Sequence, residues 1–190
     1  MKRILGMVAM VVLLVACTAC DDGNLIKDPA LRACIQAEWD TWAKDKHYDI
    51  NNKDDLANVF STFACESKGV KSLEGFEYLV NVTQLRLSGN EIKDFSPLAG
   101  HEKLISLDLD SNGIREIDSL HDLNVLHSVS LMGNFLKDIR LLKQFASLAD
   151  IAIIDNCITD FNQCDEVKQT ISEVSIVGCT ASDQHPEKCQ

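Results

Sequence analysis

A seven-residue phrase recurs at a constant interval of 22 residues along the chain. In each copy two apolar residues alternate with variable ones, and an asparagine follows. A period of this length indicates one structural unit that stacks on copies of itself, because a single unit cannot bury its own apolar face. The copies are LRLSGNE at 85–91, LDLDSNG at 107–113, VSLMGNF at 129–135 and IAIIDNC at 151–157.

The apolar columns of the repeat predict a parallel sheet with its core on one side. Alternate residues of a strand lie on the same face, so the two leucines of L-x-L point into one core. The asparagine amides can both donate and accept hydrogen bonds. We therefore expect them to form a structural ladder that satisfies backbone groups inside the stack. The ladder consists of Asn90, Asn112, Asn134 and Asn156.

The second copy also matches the opening of a calcium-binding EF-hand loop. Asp108, Asp110 and Asn112 have the required spacing, and Gly113 follows. The twelfth loop position, however, is Ser119 instead of the bidentate glutamate that closes such a site. Because Asn112 is also a repeat position, we interpret the two aspartates as variable strand residues. We expect neither a metal ion nor a cofactor.

A helical segment precedes the repeats. It reads DPALRACIQAEW, with Asp28 as the N-cap and Pro29 as the first helical residue. The phrase GVKSLEGFEYLVNVTQLRLSGN then leads into the 22-residue units. Over residues 25–165 this order resembles the internalin type of bacterial leucine-rich repeat. The resemblance implies an α/β right-handed solenoid with a short parallel β-sheet on its concave face. The convex side would be 3-10 or irregular, between a helical N-terminal cap and a disulfide-linked C-terminal cap.

The chain divides into five predicted segments. They are a lipoprotein signal peptide at 1–16, a lipid-anchor tether at 17–24, a helical cap at 25–62, the leucine-rich repeats at 63–165 and a C-terminal cap at 166–190.

The first residues indicate export. Lys2 and Arg3 precede an apolar run, 4–15, which is shorter than the roughly 20 residues that a membrane-spanning helix needs. The run ends in LVAC, which resembles a bacterial lipobox and implies a lipid such as palmitate on Cys17. Cys20 is the alternative, because its choice leaves six cysteines, an even number, in the mature chain.

The residue after the lipidated cysteine bears on location. By the resemblance to Gram-negative lipoproteins, Thr18 after Cys17 implies the outer membrane, whereas Asp21 after Cys20 implies the inner membrane. A plain secretory signal, cut near Ala19, is a further alternative. In the favoured interpretation the membrane is reached through the N-terminal lipid alone.

Export places the cysteines in an oxidising compartment, where they pair as disulfides. Cys34 in the predicted cap helix and Cys65 in the first strand are expected to bridge these two pieces.

The pairing of the C-terminal cysteines depends on a sixth strand, which we predict in SEVSIVGC. If Val174 continues the core column of Ile151, Cys179 falls beside Cys157 on the asparagine column. This register predicts the disulfides Cys157–Cys179 and Cys164–Cys189, and a free buried thiol at Cys164 is the alternative.

The charge and the motifs exclude several functions. The formal net charge of −11 disfavours binding to nucleic acid, which requires clustered Lys and Arg. The sequence contains neither H-E-x-x-H nor G-x-S-x-G, so we predict no enzyme activity. The histidines fall mostly in convex or loop positions, where we expect them to be solvated: His47, His101, His121, His127 and His185.

The variable strand positions form the candidate binding surface. Along the array they change from polar and acidic to apolar, which predicts an apolar strip beside Asp108 and Asp110. The alternative is that the C-terminal cap covers this strip. The predicted concave residues are Arg86, Ser88, Asp108, Asp110, Ser130, Met132, Ala152, Ile154 and Val177.

The sequence therefore predicts a non-enzymatic module that binds another protein through its concave face in the bacterial envelope. One alternative is a surface adhesin for a host protein, as the resemblance to internalins implies. The other is a structural or inhibitory envelope lipoprotein without a dedicated concave ligand.

Overall fold

The computed structural model describes residues 23–42, 47–57, 61–171 and 173–189. The predicted signal peptide, Cys17 and Cys20 lie outside the described residues. Among the described residues, no helix has the length and apolar character needed to cross a membrane.

Six strands form one parallel sheet in chain order. Neighbouring strands keep the repeat register, so that Leu85 lies opposite Leu107 and Val129 opposite Ile151. This architecture confirms the α/β leucine-rich repeat solenoid. The strands are β1 (Thr62–Ala64), β2 (Gln84–Arg86), β3 (Ser106–Asp108), β4 (Ser128–Ser130), β5 (Asp150–Ala152) and β6 (Ser175–Val177).

The asparagine ladder runs through the stack beside the buried leucines. Asn134 is fully buried, and its Nδ2 donates to the carbonyl oxygens of Leu109 and Leu131 at 3.1 and 2.9 Å. Its Oδ1 accepts from the backbone N–H groups of Asn112 and Ile114, both at 3.0 Å. One side chain thus joins backbone groups of two consecutive turns, which no purely apolar residue could do.

Short 3-10 helices lie on the convex side, at Phe76–Tyr78, Ser96–Leu98 and Arg140–Gln144. Pro97 lies in the first turn of the second one, where its fixed φ fits. In the last unit an α-helix, α3 (Asn162–Thr170), takes this place.

The N-terminal cap consists of α1 (Pro29–Trp42) and α2 (Lys53–Ala57). Asp28 caps α1, because its Oδ1 accepts from the N–H groups of Ala30 and Leu31. Its Oδ2 accepts from Lys71 and Ser72 of the first repeat at 2.8 and 3.1 Å. A single carboxyl therefore holds the cap helix on the solenoid.

A disulfide also joins the N-terminal cap to the sheet. Cys34 of α1 is bonded to Cys65, which follows β1, with their Cα atoms 5.7 Å apart.

The predicted register of the last strand is wrong. Ile176, and not Val174, lies opposite Ile151. The reason is α3, which is longer than the 3-10 turns of the other repeats and delays the start of β6.

After β6, Gly178 adopts a φ of 101°, and the chain passes so close to β5 that a Cβ would lie 2.5 Å from the Ile154 nitrogen.

The predicted C-terminal disulfides, Cys157–Cys179 and Cys164–Cys189, are wrong for the same reason. The shifted strand carries Cys179 away from the asparagine column, and Cys179 bonds to Cys164 of α3. Cys157 bonds to Cys189 in the C-terminal 3-10 helix, Pro186–Cys189.

Gln184 occupies the next place in the asparagine ladder. Its Oε1 accepts from the Asn156 N–H and its Nε2 donates to the Ile153 carbonyl oxygen, both at 3.0 Å. These are the partners that an asparagine of a further repeat would have, so a glutamine from the cap closes the ladder.

His101 departs from the expected solvated position. It is 2% exposed, and its ring lies 5.5 Å from that of Phe76. Burial lowers the pKa of its imidazole, although the bond to the Leu98 carbonyl oxygen and the Glu77 charge partly oppose this. His47, His127 and His185 are exposed, and His121 is half-buried.

Candidate binding surface on the concave face

The solvent-facing side of the sheet, the concave face of the solenoid, carries three columns of side chains. The paired strand residues define the middle column. A second column lies two residues further towards the C-terminus of each rung, where backbone hydrogen bonds between neighbouring rungs continue past the strands. The middle column contains Ala64, Arg86, Asp108, Ser130, Ala152 and Val177. The column beyond it contains Glu66, Ser88, Asp110, Met132 and Ile154.

The third column was missed in the sequence analysis. It precedes the middle column by two residues and is polar throughout. The alternation that identified the other two columns, extended one step towards the N-terminus, would have found it. Its members are Thr62, Gln84, Ser106, Ser128, Asp150 and Ser175. Val177 lies on the concave face as predicted but beside Ala152, in the middle column, because of the shifted register.

The first rungs of the face carry an ion pair. Arg86 Nε lies 3.5 Å from Glu66 Oε1, and both side chains are about half exposed. Arg86 is the one cation among the predicted concave residues, and it is already paired with Glu66. None of the other predicted concave residues is a cation that could pair with Asp108 and Asp110 on the next rung.

The third rung is acidic. Asp108 Oδ1 accepts from the Asp110 N–H at 3.0 Å. Asp110 Oδ1 in turn accepts from Ser130 Oγ at 2.6 Å and from the Met132 N–H at 2.8 Å. Asp108 therefore holds the backbone at Asp110, and Asp110 holds the Ser130 hydroxyl and the Met132 backbone of the next rung.

Partial burial raises the pKa of the Asp110 carboxyl. The bonds from Ser130 and Met132 lower it, and the neighbouring Asp108 charge raises it further. The net upward direction means that a negative charge at this position is poorly solvated and insufficiently compensated.

The last rungs are apolar. Met132, Ala152 and Ile154 are half-buried, whereas Val177 is 51% exposed. The C-terminal segment contacts the chain just after β5, where the Asp155 N–H donates to the Asp183 carbonyl oxygen. All four side chains keep part of their surface accessible to solvent, and this apolar patch borders the acidic rung.

Within the described ranges, His, Cys, Asp and Glu side chains form no group of three or more that could hold a metal ion. The carboxyl oxygens of Asp108 and Asp110 accept hydrogen bonds from backbone N–H groups and from the Ser130 hydroxyl.

Comparisons with known proteins place the fold. No protein-family model and no curated protein sequence matches the chain. Among solved structures, an internalin of Listeria monocytogenes, inlF, is similar, with a TM-score of 0.64 and 22% identity over 80% of this chain. A second internalin of that bacterium gives 0.56 and 22% over the same share. This chain spans 49% of the first and 74% of the second. At these identities the likeness is one of fold, that of a leucine-rich repeat solenoid.

Proposed function

We propose that the chain is a non-enzymatic module of the bacterial envelope that binds another protein through its concave face. The observation that carries this proposal is the partly exposed apolar strip formed by Met132, Ala152, Ile154 and Val177. Apolar groups left in contact with water beside charged ones are typical of contact surfaces, and methionine adapts to partners of varied shape.

The three disulfides among the described residues support an exported protein. Disulfides persist in oxidising compartments and are rare in the reducing cytosol. The lipobox-like LVAC supports attachment through a lipid on Cys17, with Cys20 as the alternative. Labelling cells with an alkyne analogue of palmitate tests this step: Cys17→Ser should abolish incorporation, whereas Cys20→Ser should not.

The binding proposal is tested by chemical crosslinking and pull-down with wild type and with a Met132→Asp/Ile154→Asp variant, after circular dichroism shows that both fold. Val80→Asp/Val125→Asp is the matched control, because these exposed valines (45% and 41%) lie outside the strands. We expect a partner that wild type and control capture and the concave variant loses. Equal capture by all three proteins would refute the proposal.

A surface adhesin remains the second candidate, favoured by the fold likeness to internalins. The two candidates differ in where the module is displayed. Protease treatment of intact cells should leave the protein untouched if its partner lies inside the envelope, and should remove it if it acts as an adhesin.

A further inference from the structure

The acidic and apolar halves of the concave face meet at one boundary. Asp110 on the third rung is followed in the same column by Met132 and then Ile154. A partner that covers this boundary has to satisfy both chemistries at a fixed spacing.

We propose that the concave face binds an extended protein segment that presents a Lys or Arg side chain and, two residues along, an aliphatic side chain. This inference rests on the proposed function and specifies the chemistry of its partner.

The acidic half selects the cation. Asp110 Oδ1 accepts hydrogen bonds from the Ser130 hydroxyl and from the Met132 N–H. Asp108 likewise uses Oδ1, for the Asp110 N–H. The cation on the preceding rung, Arg86, is paired with Glu66. Two neighbouring carboxylates, one of them partly desolvated, gain most from a cation that the partner brings.

The apolar half selects the aliphatic side chain. Met132, Ile154, Ala152 and Val177 present carbon atoms on three consecutive rungs, and Val177 is the most exposed at 51%. A charged or amide side chain placed here would lose water without gaining a partner, whereas a leucine, isoleucine or valine buries apolar area.

The spacing sets the separation of the two side chains. Rungs of a sheet are about 4.8 Å apart, so the midpoint between Met132 and Ile154 lies roughly 7 Å from Asp110 along the column. In an extended chain, residues two apart share a face and are about 6.7 Å apart. The segment therefore crosses the strands and runs along the solenoid.

The test uses a displayed library of random twelve-residue peptides, selected on immobilised protein. Binding of selected peptides, synthesised singly, is then measured by biolayer interferometry. Four proteins are compared: wild type, Asp108→Asn/Asp110→Asn, Met132→Asp/Ile154→Asp and the off-face control Glu102→Gln/Glu116→Gln. Asparagine keeps the Oδ1 acceptor that holds the backbone, removes the negative charge and replaces Oδ2 with an NH₂ group.

We expect selected peptides to be enriched in Lys or Arg two positions from an aliphatic residue. They should lose about tenfold in affinity on the asparagine variant, and the control should bind as wild type does. Raising the salt concentration should weaken binding to wild type more than binding to the asparagine variant.

Two results would overturn the inference in distinguishable ways. Peptides without basic enrichment that still require Met132 and Ile154 would refute the basic-aliphatic motif and leave concave binding intact. Peptides that bind all four proteins equally, or a selection that yields no binder, would count against the motif and against the concave face together.

Discussion

The Asp28 carboxyl connects the cap helix to the first repeat, and its removal should be costly. Oδ1 holds the start of α1, and Oδ2 accepts the N–H groups of Lys71 and Ser72. Asp28→Asn retains an N-cap but replaces one oxygen with an NH₂ group that cannot accept. Leaving two partly buried N–H groups unsatisfied should cost about 2–4 kcal/mol of unfolding free energy at pH 7. Asp28→Ala, which also removes the cap, should cost about 3–5 kcal/mol.

The dependence on pH is a second signature of the same carboxyl. Burial alone would raise the pKa of Asp28, but four backbone N–H donors outweigh it, and the net pKa lies below the ordinary 3.8. A lowered pKa in the folded state means that the stabilisation is complete above pH 3.8 and disappears as the pH falls through the folded-state value. The difference between wild type and Asp28→Asn should therefore shrink in acid.

Urea unfolding followed by circular dichroism, under oxidising conditions and between pH 7 and pH 2.5, measures both effects. Asp40→Asn is the matched control, because Asp40 is exposed on the same helix and its Oδ1 accepts from Gln36 Nε2 one turn away. A loss below about 0.5 kcal/mol in Asp28→Asn, or a difference that stays constant into acid, would refute the reasoning.

Three further predictions concern the stack and its end. Asn134→Ala should lower the unfolding free energy by about 3–5 kcal/mol, because it leaves buried backbone groups without a hydrogen-bond partner. The control Asn124→Ala, at an exposed position, should change it by less than about 0.5 kcal/mol. Denaturant unfolding of both variants measures these differences. Because burial lowers the pKa of His101, the unfolding free energy of wild type should fall as the pH falls from 7.5 to 5. His101→Gln should remove the contribution of this histidine to the slope of unfolding free energy against pH, and an unchanged slope would contradict this expectation. Gln184→Ala should increase amide hydrogen exchange at Asn156 and leave exchange at Asn112 unchanged, and equal changes at both would contradict the capping role.

The repeating part of the fold could be predicted from the sequence. Each unit contacts its neighbours, so the register of Leu85, Leu107, Val129 and Ile151 follows from the period alone. The burial of His101 was also within reach, because it occupies a column whose other members are buried and apolar: Leu79, Leu123 and Phe145.

The C-terminal cap could not be predicted in the same way. Its path depends on contacts that do not repeat, and α3 shifts β6 by an amount that no period specifies. The disulfide partners of Cys157 and Cys164 and the ladder role of Gln184 all follow from that shift.

The sequence predicted most residues of the concave face but not the hydrogen bonds that connect them. Alternation along the strands identified Met132, Ile154 and the middle column apart from Val177, and the apolar strip keeps part of its surface exposed. The bonds from Ser130 and Met132 to Asp110 join two rungs, and they depend on rotamers and on a turn that a sequence pattern does not describe.

Site-specific photocrosslinking in the cells that express the protein tests the central claim most directly. A photoreactive p-benzoylphenylalanine replaces Ala152 on the concave face or, as the matched control, Ala146, an exposed alanine outside the strands. We predict a discrete crosslinked protein from position 152 and none from position 146. A crosslink from position 146 alone, or identical products from both positions, would contradict the assignment of the concave face as the binding surface.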